Sequence, residues 1–253
     1  MSEIPAKPSP YRKNWSQYLV EFILLFTAVT LGFFAENLRE KFSERDKEKQ
    51  YLIQLFQDLQ QDTAKINFCV SFKETKEQQA DSLIDLITRP DRDKFLRMIY
   101  YYSRIIVVRE PFYGTEGTFN QLQNDGGFRL ITNRKLIHEL NQYEAARQKI
   151  YQIQEMQDLS SLEMRGVSSR LFDARTEHQM LDIKNNHKYR YFVKPPDKDI
   201  PLASNDPMLI NEYCNWISWM MSAEKYDHVL LTRLKNTAVN LMTTIQSELR
   251  AKE

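Results

Sequence analysis

Six glycines in 253 residues leave the chain without the turn supply that a many-stranded β architecture needs, and long stretches also lack proline. Two cysteines, Cys69 and Cys214, are too few for a disulfide framework and have no metal-ligand spacing. Both lie in apolar helical context, where a buried, inert thiol is expected. Charge of one sign is missing too. The 35 Lys and Arg against 34 Asp and Glu give a net charge of +1. With no basic excess to neutralise phosphates, nucleic acid is not an expected partner.

Chemistry-bearing motifs are equally sparse. His138-Glu139 does not extend to a zinc-protease motif, because Gln142 stands where the second His is needed. Glu177-His178 and Asp182 lie one helical turn apart, and His187 follows, but four scattered His are ordinary for this length. Gly126-Gly127 lacks the Lys and Ser/Thr of a phosphate loop, and no Gly-x-Ser-x-Gly elbow or Cys–His arrangement occurs. The expectation is therefore no enzyme, no cofactor, no metal and no catalytic residue.

What the chain does have is one long apolar run. Tyr18 to Ala35 holds eighteen residues with a single charge, Glu21, near its start. As a helix it would span about 27 Å, close to the hydrocarbon thickness of a bilayer. Its hydrophobicity runs all the way round from Phe22 to Phe34, unlike the one-sided stripe of a soluble core helix. Trp15 and Tyr18 sit where an aromatic belt would, and Glu21 is placed to snorkel or to meet a polar group on a neighbouring span. The anchor residues are thus Trp15, Tyr18, Glu21, Phe22, Leu25, Leu31 and Phe34. A cleaved signal peptide shares the basic flank and apolar centre, with Thr30-Leu31-Gly32 as a passable cleavage site. The helical pattern nevertheless continues through Glu36 and Asn37, which favours a retained anchor. Residues 1–14, with Pro5, Pro8, Pro10 and three basic residues, read as a disordered basic tail.

A strict positive-inside count, five basic residues after the span against three before it, puts the following domain in the cytoplasm. Those five are interleaved with acids, and a large domain translocates regardless of them. The orientation adopted is tail inside and domain outside.

Beyond the span a 4-3 spacing persists from Leu38 through Leu52, Phe56, Leu59 and Ile66 to Val70. This is the repeat of a helix–helix seam. Arg45 and Lys49 interrupt it, so the part from Leu52 is the part expected to pack, within its own domain or, alternatively, as a parallel homo-oligomeric coiled coil. The helix is predicted to reach Thr88 and to break at Arg89-Pro90-Asp91. Asp91 or Asp93 would cap a second helix through Tyr102. Arg104 to Tyr113 (RIIVVREPFY) is β-like in composition but has no partner strand, so a connector is expected. A short helix from Thr118 ends at the structural turn Gly126-Gly127, and Thr132 or Asn133 caps a helix reaching as far as Asp173. Asn185 to Pro207, with four prolines, is predicted to be a long irregular loop whose Tyr189, Tyr191 and Phe192 suit an interface. Asp206-Pro207 opens a helix through Met220, and a separate final helix carries Leu230, Leu234, Ala238, Leu241, Ile245 and Leu249.

The span with its charged helix and Tyr51-Leu52, together with GGFRLITNRKL, resembles an uncharacterised family of single-span membrane proteins common in Bacteroidota. The matching positions are Glu21, Asn37, Leu122, Gly126, Leu130, Ile131, Asn133 and Leu136, and the closing Leu-x3-Ile-x3-Leu is also similar. Ala28 and Gly32 stand in reverse order to the family pattern, and Leu38 replaces its Trp. The resemblance implies a location, the bacterial inner membrane, and an architecture; it supplies no activity.

The combined expectation is an all-α protein. Residues 15–37 form a transmembrane anchor, and 38–253 form a long-helix antiparallel bundle with a loop at 185–207. The bilayer is its first partner, and a second copy or another membrane protein its next. The function expected is non-catalytic interaction or scaffolding. The alternative is a sensory or ligand-binding domain with its pocket between helices, near the aromatic loop.

Overall fold

In the computed structural model, residues 15–183 and 190–252 are described, without the side chains of 158–160 and 190. The expected basic tail, 1–14, lies outside the described residues, as do Tyr189 and His187. The chain is all-α: six helices and no strand among the described residues. It divides into two compact units, Met1–Gln50 and Tyr51–Glu253.

The first unit, as described, is helical throughout. It is the first part of α1 (Trp15–Thr88), free of Pro, and its single Gly32 is tolerated without strain. Exposed Arg39 and Glu36 pair across one turn at 2.5 Å.

In the second unit, α1 continues from Tyr51 to Thr88 and packs with α4 (Arg134–Leu171) and α6 (Pro207–Ala251). Cross-contacts give the directions. Phe56 lies near Met242 and Lys73 meets Glu224, so α6 runs antiparallel to α1. Gln157 reaches Ala223 and Arg170 reaches Glu212, so α6 is antiparallel to α4 as well. One apolar cluster joins Leu52, Leu59 and Ile66 to Leu140, Ile150, Leu234 and Ile245. The other joins Leu83 and Ile87 to Ile99, Val167, Leu171, Tyr213 and Ile217. Every predicted apolar residue of the closing helix from Leu234 to Ile245 is fully buried.

The sequence expectation of two C-terminal helices is corrected: α6 is one helix of 45 residues. The stretch Ser222–His228 looked like a boundary because its apolar stripe lapses. It contains neither Pro nor Gly to stop a helix, and its core-facing positions are filled by Glu224 and Asp227. Expected capping by Asp91 or Asp93 is also corrected. α2 (Leu96–Ile105) has no side-chain cap, and Asp91 instead accepts from Arg89 Nε at 3.0 Å. Met156 on α4 is exposed.

Asn133 caps α4 as expected, accepting from Lys135 N at 3.0 Å and Leu136 N at 3.2 Å. Its amide also donates to Glu248 Oε2 at 2.7 Å, tying the cap to the end of α6. Substituting Asn133→Ala removes both roles and is expected to lower stability by about 1–2 kcal/mol, measured by urea unfolding of the full chain. Asn133→Asp keeps the cap and should lose less. Just upstream, α3 (Gly117–Asn124) ends where Gly126 takes φ +67°, a left-handed conformation that glycine adopts without a Cβ penalty.

The expected connector is present as residues 106–116; it opens on a turn after α2, with Val108 N donating to Ile105 O, and then runs without helix or strand to α3. It descends along α4, with Arg109 against Gln154 and Gln157, Gly114 against Tyr151 and Thr115 against Arg147. With its side-chain amide turned so that each end meets a complementary group, Gln154 donates to Phe112 O and accepts from Phe112 N, both at 3.2 Å. One glutamine thus takes the place of the partner strand that the β-like composition lacks. The described part of the long loop is irregular, as expected, and is pinned rather than loose. Arg97 Nε donates to Pro196 O at 2.8 Å, Tyr100 Oη to Pro201 O at 3.1 Å, and Ala203 N to Leu171 O at 3.0 Å.

Candidate functional site

The candidate anchor residues all lie on the first part of α1. Trp15, Tyr18, Phe22, Leu25, Leu31 and Phe34 are each more than half exposed, and Glu21 is exposed too. None of the most apolar eighteen-residue window is buried within the protein. One helix is therefore long and apolar enough to cross a membrane. The candidate seam residues behave differently. Leu52, Leu59 and Ile66 are buried and Phe56 is half-buried in the core of the second unit.

The centre of that unit holds four charges. α1 presents Lys73 and Lys76 on adjacent turns, and α6 presents Glu224 and Asp227; all are at least 94% buried. Lys73 Nζ pairs with Glu224 Oε2 and, at 2.7 Å, with Asp227 Oδ2. Lys76 Nζ pairs with Glu224 Oε1 at 2.8 Å. Burial works against the Glu224 carboxylate, but Lys76 and Lys73 outweigh it and hold its pKa down to about 2. Burial depresses Lys73, yet Glu224 and Asp227 more than compensate, leaving it raised. For Lys76 burial prevails over Glu224, and it is lowered. These charges neutralise one another. Sequence reasoning missed the cluster because Lys73 and Lys76 look like the solvated face of a charged helix.

Beside the cluster a cavity of about 110 Å³ opens between α4, α6 and the connector. Trp216, Trp219, Met220 and Ala223 form one wall, a stripe at helical spacing on α6, and Val107 faces them. Gln157, Ser161, Arg109 and Glu224 supply the polar side. Gln157 is held at both ends of its amide, accepting from Arg109 Nη2 at 2.8 Å and donating to Ala223 O at 3.0 Å. Trp219 stands at the rim, 75% exposed.

The other sequence candidates are dispersed. His138 is exposed and hydrogen-bonds Gln142 at 2.9 Å. Glu177 is half-buried, 4.0 Å from Arg104, and His178 is exposed. No group of three His, Cys, Asp or Glu able to hold a metal occurs among the described residues. Burial pushes the Cys69 thiol up to about 11 and also raises Cys214, which suppresses thiolate chemistry at both. In the aromatic loop, Tyr191 packs edge-on against Phe72 with ring centres 5.4 Å apart, and Phe192 is half-exposed. Both take φ near +60°, uncommon for aromatic residues. No family model, curated protein or solved structure matches the chain.

Proposed function

We propose that this chain is a single-span membrane protein whose helical unit, residues 51–253, acts by interaction rather than by catalysis. The observation that carries the reading is the wholly unburied apolar window of α1. Large apolar side chains left in water over five turns would be a liability, whereas in a bilayer each one is stabilised. The helical unit adds support. Its most deeply buried charges are consumed in internal ion pairs, while large apolar side chains such as Phe68, Tyr113, Leu162 and Trp219 remain more than half exposed. The bacterial inner membrane, with the domain on the periplasmic side, is the location we propose, following the resemblance to the Bacteroidota family.

Alkaline carbonate extraction of membranes is expected to leave the full chain in the pellet, and deletion of 15–37 to release it. Protease added to spheroplasts should digest residues beyond 37. Recovery of the full chain in the carbonate supernatant would overturn the anchor, and protection from protease would reverse the orientation. Crosslinking in native membranes tests the interaction role. A stoichiometric partner or a defined self-adduct supports it, and a chain that stays monomeric and uncrosslinked removes it.

A further inference from the structure

We propose that the cavity beside the buried ion cluster is a binding site for a small, neutral, monocyclic aromatic molecule carrying one hydrogen-bonding substituent. Its size comes first. An enclosed apolar cavity of about 150 Å³ accepts one benzene. The present cavity, about 110 Å³ with a mouth at Trp219, suits a single ring whose edge reaches the rim. Its wall comes second. Trp216, Trp219 and Met220 bring two indoles and a polarisable sulfur to the lining, groups that favour an aromatic ring over an aliphatic chain of equal volume.

Neutrality follows from the bonding of the polar side. Both Glu224 oxygens are taken by lysines, and Arg109 Nη2 donates to Gln154 O at 3.1 Å and to Gln157 Oε1 at 2.8 Å. A charged ligand at Glu224 or at Arg109 Nη2 would have to compete with a buried ion pair or with these two bonds. A neutral amide or hydroxyl needs only lateral hydrogen bonds, for which the Ser161 hydroxyl and the Gln157 amide are part of the lining. A few polar groups converging on an apolar pocket next to perturbed ionisable residues is the usual form of a ligand site. The site is independent of the anchor, since every lining residue lies between 107 and 224.

The test uses the full chain in lipid nanodiscs with benzamide as probe, and benzoate and benzylammonium as charged counterparts. Tryptophan emission is a direct reporter, because two of the three tryptophans line the cavity. Benzamide should quench emission saturably, and each charged ring should bind about tenfold more weakly. Ala223→Leu, which fills the cavity, should weaken benzamide by about tenfold or more while far-UV circular dichroism is unchanged. If Ala223→Leu misfolds, Trp219→Ala takes its place: the residue is exposed, so the fold survives, and saturation-transfer NMR should show benzamide contacts reduced. Quenching that never saturates, equal binding by all three probes, or undiminished binding in the variants would each overturn the assignment.

Discussion

Substituting Glu224→Gln is expected to lower the stability of the helical unit by about 3–5 kcal/mol, the scale for leaving buried charges without their partner. The substitution keeps the shape of the side chain and removes the one group that pairs with both Lys73 and Lys76. Asp227 then remains to neutralise Lys73 alone, and Lys76 is left as a buried ammonium whose remaining neighbours, Lys73 and Arg109, are also cationic. Urea unfolding of the full chain, followed by circular dichroism, measures the loss. Converting Lys73, Lys76, Glu224 and Asp227 together to apolar residues of similar volume should restore most of it, because desolvation of the ions opposes their attraction. A loss below about 1 kcal/mol for the single variant would mean that water reaches the cluster.

The same carboxylate imposes an acid limit. Its folded pKa, about 2, lies below the ordinary 4.5, so the stabilisation it contributes is fully present above about pH 4.5. It is lost as the pH falls through about 2. The difference corresponds to roughly 3 kcal/mol at neutral pH. Between pH 5 and pH 2 the wild-type chain should therefore lose stability more steeply than Glu224→Gln, and the two curves should converge at the acid end. Parallel curves over that interval would remove Glu224 as the source of the slope.

Much of this arrangement could be seen in the chain before folding, and the reasons are specific. The end of α1 at Thr88 is dictated by Arg89-Pro90, the start of α6 by Asp206-Pro207, and the start of α4 by Asn133, because caps and breakers act within a few residues. The apolar stripe from Leu230 to Leu249 shows its buried face directly. The cluster at the centre was hidden for the converse reason. A buried Lys and a solvated Lys have the same letter, and only the approach of α6, 151 residues later, distinguishes Lys73 from its exposed neighbour Glu74. That approach also explains why α6 seemed to pause at Ser222–His228, since its inward residues there are acids. The cavity shares this non-local origin. Trp216, Trp219, Met220 and Ala223 form a recognisable stripe, but the residues that close it over, Val107 and Arg109, belong to a connector whose path is set by Gln154.

Asp62→Ala is expected to be the second most damaging polar substitution, at about 2–5 kcal/mol, because this 1%-exposed carboxylate joins three elements and its loss strands two hydrogen-bond donors. It accepts from Tyr143 Oη at 2.6 Å, from Thr115 N at 2.7 Å, and lies 3.8 Å from Lys65 Nζ. Arg147 completes the group, pairing with Glu144 and donating to Thr115 O at 2.9 Å. The Gly114–Thr115 backbone fits between these side chains only because residue 114 lacks a Cβ, which would sit 2.6 Å from Arg147 Cδ. Without Asp62 the Thr115 amide and the Tyr143 hydroxyl lose their acceptor inside the fold, and the connector is released from α1. Tyr143→Phe removes one of these bonds and leaves the carboxylate in place, so it should cost about 1.5–3 kcal/mol, the range for hydrogen bonds to charged groups. Burial and Asp62 together hold the Tyr143 phenol far above its ordinary pKa, so it stays protonated and donating throughout the accessible range. Hydrogen exchange separates a local role from a global one. In Asp62→Ala, amides of residues 106–116 should lose protection well before those of α6, and simultaneous loss in both would show that the connector and the bundle open as one unit.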